Sequence, residues 1–187
     1  LALIPGTVGG APIQNIGAYG VEIAQFISEV EVLELETGEI RLFTRKECEF
    51  AYRDSIFKNQ LSNQIVVLPV SFQLNQGRPP NISYPSLYEA IEIELTKLSG
   101  GPEVTPQLIF DTVCRIRRAK LPDPAVIGNA GSFFKNPVVS QSKHDQLRNQ
   151  FPDLPSFSIS DTDLVKIPAA WLLDQAGWRG RSRGAAG

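Results

Sequence analysis

The chain has 187 residues, 42% of them hydrophobic, and a net charge of −2 from 18 basic and 20 acidic residues. That length holds one large domain or two small ones, with material for a real core. The balanced charge, without a basic stripe, argues against nucleic acid or an anionic membrane as partner, and no apolar run approaches bilayer-spanning length.

Cys48 and Cys114 stand far apart. They form neither a disulfide framework nor a CxxC zinc pattern, which fits a reducing cytoplasm. His144 is the single histidine, so no multi-histidine metal site is expected. Methionine is absent, the chain opens in the apolar run Leu1-Ala2-Leu3-Ile4, and it closes on Arg179-Gly180-Arg181-Ser182-Arg183 and small residues. An internal piece of a longer protein is the expectation.

Residues 6–20 are dense in glycine. Such backbone offers N–H groups that can cradle phosphate oxygens. The segment is neither a Walker A loop nor a GxGxxG fingerprint. Val8, Ile13, Ile16 and Tyr19 favour a buried, ligand-facing loop over an idle linker. In 26–36, Val30 and Val32 alternate with Glu29 and Glu31, and a phase slip at Leu33 predicts a bulge. Thr37-Gly38 turns the chain into a returning strand, Ile40 to Phe43, closing a hairpin. Thr44 with Glu47 reads as a capping box for a short helix, Arg45 to Phe50. Residues 51–58 show neither period. Ile65 to Leu74 reads as a strand.

Pro80 to Pro85 is a loop carrying Tyr84. Leu87, Ala90, Ile91, Leu95 and Leu98 give 86–98 a helical period, and Ser99-Gly100-Gly101-Pro102 stops it. Thr105 caps a second helix with Pro106 at its first position; Leu108, Ile109, Val113 and Ile116 form its buried face. Arg115, Arg117, Arg118 and Lys120 crowd its end, where the helix dipole favours cations. Leu121-Pro122-Asp123-Pro124 is a rigid connector and the expected domain boundary.

Gly128-Asn129-Ala130-Gly131-Ser132-Phe133-Phe134-Lys135-Asn136-Pro137 combines a hydroxyl, an ammonium and an amide with two glycines. It reads either as a site or as a glycine turn into a short buried strand, Ser132 to Phe134. A polar helix near Ser142 to Gln150 follows, with His144 expected at the surface between Lys143 and Asp145. Pro168 starts a last helix, Ala169 to Ala176. Ser132 lies outside a GxSxG elbow, and no carboxylate pair suits glycoside hydrolysis.

Four ordered motifs then stand together. They are Pro5-Gly6-x-Val8-Gly9-Gly10-Ala11-Pro12-x-Gln14-Asn15-x-Gly17-Ala18-Tyr19-Gly20, Tyr52-Arg53-Asp54-Ser55-x-Phe57-Lys58, Lys120-Leu121-Pro122, and the 128–137 stretch. With them the chain resembles the UDP-N-acetylenolpyruvoylglucosamine reductase (UDP-N-acetylmuramate dehydrogenase) family over nearly its whole length. The resemblance implies a cytoplasmic flavoprotein of bacterial peptidoglycan synthesis, tied to cell wall, cell shape and cell cycle. Hydride would pass from NADPH through FAD to the enolpyruvyl ether of a UDP-sugar. It implies an α+β fold: residues 1–121 as the later half of an FAD-binding domain of the vanillyl-alcohol-oxidase/PCMH-like type, and 122–187 as an incomplete substrate-binding domain. Full length, such a protein is expected to be a monomer.

The same resemblance implies roles for residues. Ile4, Gly9, Gly10, Ile13, Ile16, Gly17, Val67 and Arg117 would meet FAD. Arg53 would stabilise the enolate, and Ser132 would donate the proton, helped by Lys120 or Lys135. Tyr52, Tyr84, Lys120, Asn136 and Phe157 would hold substrate. Arg53 and Ser132 would then have to meet at one substrate from different units. Two departures matter. Phe157 stands where close relatives place a tyrosine that closes over the substrate phosphates. The family's first FAD subdomain and its catalytic glutamate are absent, so activity is expected of a longer parent and not of this chain alone. Two other readings remain: a flavin oxidase of the same superfamily, which needs a flavin-attachment histidine in the FAD loop, and a non-catalytic nucleotide-binding remnant.

Overall fold

The computed structural model describes residues 1–97, 103–128, 131–159 and 162–184. Leu98, the helix stop at 99–102, Asn129 and Ala130 of the glycine-serine motif, and the last residues 185–187 lie outside the described residues. The chain divides into two units, Leu1–Asn129 and Ala130–Gly187, so the Leu121–Pro124 connector runs within the first. Both units mix α and β.

In the first unit a small hairpin, β1 (Gly17–Ala18) with β2 (Val21–Glu22), turns through Tyr19 and Gly20, both at positive φ (52° and 78°). Two left-handed residues in a two-residue connection match the twist of the strands they join. An antiparallel sheet follows in the order β4 (Ile40–Thr44), β3 (Ile27–Glu34), β5 (Ile65–Phe72). Val30 and Val32 are fully buried; with Ile27, Phe43, Cys48 and Phe57 they form one core. Burying each such side chain contributes roughly 1.5–3 kcal/mol.

The expected slip at Leu33 is overturned. Pairing of β3 with β4 runs without a break from Glu29↔Thr44 to Leu33↔Ile40. Leu33 simply faces outward, in a cross-strand row with Ile40 and Val66 that gives an apolar side chain apolar neighbours. The register shifts lie on the other side, toward β5, at Ile27/Glu29 and Val30/Val32. The first of them lets Ile27 and Val30 share the inner face. Pro69 sits in β5 opposite the second shift, an edge-strand position where a missing donor is tolerated.

The expected helix at 45–50 is a turn instead. Glu47 accepts from both the Thr44 N–H (2.9 Å) and the Thr44 hydroxyl (2.6 Å), so the local signal forms. The chain then leaves helical geometry at Glu49 (φ 48°), just after Cys48 is drawn into the core.

Helices α1 (Pro85–Lys97) and α2 (Pro106–Lys120) pack as a pair around Leu87, Ile91, Val113 and Ile116. The Thr105 hydroxyl accepts from the Leu108 N–H at 3.1 Å, with Pro106 at the first position. Arg115 bridges to Glu94 of α1 at 2.9 Å, so it ties the two helices together and does not merely complement a dipole.

The second unit holds an antiparallel sheet in the order β6 (Val138–Ser140), β8 (Leu164–Lys166), β7 (Phe157–Ser158). Helix α3 (Gln141–Gln150) is capped by the Ser140 hydroxyl and packs on β6 and β8; α4 (Ala169–Gln175) closes the unit. His144 is buried, against expectation. It sits in helical step with Gln141 and Leu147 on the face α3 turns to the sheet. Lys143 and Asp145 on either side are exposed, with the Asp145 carboxylate 3.5 Å from His144 Nδ1; which face of a helix is covered is not revealed by a linear reading. Residues 132–134 form no strand, and Phe133 and Phe134 are exposed at 83% and 56%.

Candidate functional site

Arg53 is built into a loop by distant partners. Ala51 and Asp54 exchange both backbone hydrogen bonds, which folds Tyr52-Arg53 into a tight turn with Arg53 left-handed at φ 55°. An arginine at such a φ is strained by about 1 kcal/mol or more, and strain of this kind gathers at functional positions. Ser55, buried beneath it, donates its hydroxyl hydrogen to the Ile13 carbonyl at 2.6 Å. The Lys58 ammonium donates to the Arg53 carbonyl at 3.0 Å.

The Arg53 guanidinium reaches back to the glycine-rich loop. Its Nη2 donates to the Gly17 carbonyl at 2.6 Å, and Nη1 lies 3.5 Å from the Asn15 carbonyl and 3.5 Å from Glu22 Oε1. The Tyr52 ring lies beneath it, 5.0 Å from Cζ. Gly17 has no alternative: a Cβ there would come within 2.8 Å of the Val21 carbonyl and 2.9 Å of Arg53 Nη1. Asn15, also left-handed and 1% exposed, locks the arrangement. Its Nδ2 donates to Glu22 Oε2 and the Ala51 carbonyl, both at 2.9 Å, and its Oδ1 accepts from the Ala24 N–H at 3.0 Å.

A second group gathers at the other end of the same loop. Thr7 caps the 3-10 turn Val8–Gly10, and the Gly10 N–H is spent inside it, on the Thr7 carbonyl (3.1 Å) and hydroxyl (3.3 Å). A Cβ on Gly9 would lie 3.6 Å from the Val67 carbonyl, so this turn packs on β5. Ile13 packs into the sheet core beside Val67. Ile4 and Ile16 are half-buried.

Arg117, near the end of α2, donates to the Leu3 carbonyl at 3.1 Å, while its Nε is buried without a hydrogen-bond partner. Tyr19 stands beside it and meets Tyr84 edge-to-face at 5.4 Å. Burial raises the Tyr19 phenol above its usual range, and the Arg117 guanidinium pulls it part of the way back. No ion pair of Arg117 with a carboxylate is seen among the described residues. The guanidinium is thus half-buried and electrically uncompensated, which suits an anionic group. Lys120, at the last position of α2, is exposed.

In the second unit Ser132 is exposed, in the loop that follows left-handed Gly131 (φ 67°). Lys135 is exposed as well. The Asn136 Oδ1 accepts from the Ala169 N–H at 2.9 Å and so caps α4, and the Pro137 carbonyl accepts from the Ile167 N–H at 2.9 Å. Phe157 is half exposed. Its strand position lies directly across from Lys166, which in turn pairs with Val138, so the three share one level of the sheet. That row puts Phe157 at the end of the sheet where the 131–137 loop enters.

Sequence reading places Tyr19 and Asn15 in the ligand-facing loop but gives neither them nor Glu22 a site role of its own. The Tyr19-Gly20 turn was a legible signal for the first. For the other two the signal is three-dimensional: partners up to 38 residues away.

Residues 123–187 match the family model for the C-terminal domain of UDP-N-acetylenolpyruvoylglucosamine reductase. The whole chain is similar to proteins of that name. It is 48% identical over 184 residues to the one from Pseudoalteromonas atlantica, covering 98% of this chain and 50% of the relative. It is 49% identical over 186 residues to the one from Pasteurella multocida, covering 100% and 52%. A crystal structure of the Thermus caldophilus reductase matches at a TM-score of 0.46 and 20% identity, over 99% of this chain and 54% of that one, too loose a likeness to carry an argument. The chain spans about half the length of the curated relatives it matches.

Proposed function

We propose that this chain, related over its whole length to the UDP-N-acetylenolpyruvoylglucosamine reductases, is one half of such an enzyme. The parent protein would reduce the enolpyruvyl ether of a UDP-sugar with NADPH, in peptidoglycan precursor synthesis. The continuous similarity from end to end carries this reading. Among the described residues no helix is long and apolar enough to cross a membrane. The covalent flavin oxidases are a poorer fit, because His144 is buried on α3 and far in sequence from the glycine loop.

The residues of the first unit fit FAD. The orphaned Arg117 Nε and the lack of a paired carboxylate suit a pyrophosphate, with the Gly9 N–H as a further donor; Val67 and Ile4 offer apolar surface. Bound FAD would supply the hydride for the vinyl carbon. The chain's own part is to manage the charge and the proton. Arg53 presents a fixed cation to the carboxylate on which negative charge builds, a preorganised donor that needs no rearrangement during reaction. Ser132 Oγ gives its proton to the neighbouring carbon, and its exposure lets water restore that proton. Tyr52, Tyr84, Lys120 and Asn136 hold the substrate, with the Lys120 ammonium available to a phosphate or carboxylate. The Asn136 carbonyl oxygen is engaged with α4, which fixes the side chain in place. Phe157 would supply contact area without a hydroxyl.

The test is Ser132→Ala in the full-length protein with stopped-flow resolution of the two half-reactions. Oxidation of NADPH should be unchanged, and consumption of the enolpyruvyl substrate should slow by at least roughly 10²-fold. Equal loss in both would mean that Ser132 holds the site together. No loss in the second would remove it from the chemistry. Replacement of Arg117 by alanine should independently lower flavin content on purification.

A further inference from the structure

We propose that Glu22 is a positioning residue for Arg53, acting on the direction of its guanidinium and not on substrate. This rests on the role of Arg53 given above. An arginine side chain is long, and an unrestrained one spends much of its time aimed elsewhere; a displacement of the order of an ångström is costly in a reacting complex. Two backbone carbonyls, of Gly17 and Asn15, accept from one edge of the Arg53 guanidinium. Among the described residues, Glu22 contributes the one side-chain carboxylate paired with this edge, at 3.5 Å.

Glu22 is itself aimed. Its Oε2 accepts from Asn15 Nδ2 at 2.9 Å, and Asn15 is pinned from two further sides by Ala24 and Ala51. Gly17 pairs directly with Glu22 across the hairpin and brings no Cβ, whose nearest neighbours would include Glu22 Cγ at 2.9 Å. The carboxylate therefore has both oxygens committed, one to the buried amide and one to the cation. Ala51 belongs to the turn that carries Arg53, so Asn15 couples the position of the turn to the position of the carboxylate. A solvated strand glutamate would need none of this. Its charge offsets part of the Arg53 charge, so what it adds to the reaction is orientation.

The experiment is a double-mutant cycle in the full-length, flavin-loaded protein. Glu22→Gln keeps the shape, but a carboxamide has one acceptor atom and cannot serve Asn15 and Arg53 together. It should slow the enolpyruvyl half-reaction by about tenfold or more, with NADPH oxidation and flavin content unchanged. In an Arg53→Lys background the same Glu22→Gln change should cost nothing further, because two residues acting through one interaction are not additive. An undiminished rate in Glu22→Gln, equal loss in both half-reactions, or the same added loss in the Arg53→Lys background would each overturn the assignment. Should Glu22→Gln not fold, Glu22→Asp keeps the charge but shortens the reach; it should show the same selective loss, and a full rate there overturns the proposal. An Arg53→Lys protein with an undiminished enolpyruvyl half-reaction would sink the underlying reading first, whatever Glu22 does.

Discussion

Replacing Gly17 by alanine tests the geometry of the Arg53 loop without reference to any ligand. The added Cβ would lie 2.8 Å from the Val21 carbonyl, 2.9 Å from Arg53 Nη1 and 2.9 Å from Glu22 Cγ. Side-chain tips can move away, but the Val21 carbonyl is backbone of a hairpin whose turn is already left-handed at both central residues. Overpacking of this kind costs about 1–3 kcal/mol. If Arg53 is pushed off the Gly17 carbonyl, loss of that charge-assisted bond adds roughly 1.5–3 kcal/mol. The two effects overlap, so about 2–5 kcal/mol is expected. At some 2–4 °C per kcal/mol for a protein of this size, the melting temperature should fall by roughly 4–20 °C. Gly10 provides the control: a Cβ there meets nothing closer than Thr7 Oγ1 at 3.7 Å, so Gly10→Ala should change stability by less than about 0.5 kcal/mol. Thermal unfolding followed by circular dichroism, without cofactor, reads both. A Gly17→Ala protein as stable as its parent, or a Gly10→Ala protein equally damaged, would refute the reasoning.

Burial pushes the Cys48 thiol from 9.0 up to about 12. Between these values the unfolded chain releases a proton that the folded chain keeps, so this contribution to stability is complete below pH 9 and declines as pH rises toward 12. Cys48 should resist iodoacetamide in the native protein at about pH 9 and react at once in urea; equal rates in the two states would contradict its burial. Thr105→Ala removes the cap of α2 and should cost about 0.5–2 kcal/mol in urea unfolding, with no change meaning that the cap is idle.

What could be read from the sequence was what neighbours in sequence decide. The start of α2 is set within four residues, Thr105 to Leu108, and the structure repeats that pattern bond for bond. The β3–β4 hairpin follows from Val30 and Val32 and one turn. Residues 51–58 resisted reading because local bonds close the turn without either regular period, and its placement comes from Ile13, Asn15 and Gly17, 36 to 42 positions earlier. His144 was misjudged for a related reason. Only Leu147 marks the buried side of α3, too sparse an apolar signal to show which face meets the sheet. Thr44 and Glu47 show the opposite failure, a correct local bond in an element that the pull on Cys48 prevents from continuing. The candidate site was legible only in its residue types. The support of Arg53 by Glu22 and Asn15 depends on a hairpin and a turn meeting in space.

Pro69 bears on how this sheet can grow. β3 has strands on both sides, which leaves β4 and β5 as the two rims among the described residues. On β5 the proline lacks an N–H and sits where the register has slipped, so an incoming strand would find an interrupted row of donors. β4 offers an unbroken row, with Ile40 and Leu42 more than half exposed beside it. The sheet is therefore one-sided as a template. A strand recruited from elsewhere, whether from the same polypeptide or from a misfolded neighbour, joins at β4, where Arg41 is the one charge on the strand, and a proline placed in Ile40–Thr44 is the way to close that rim.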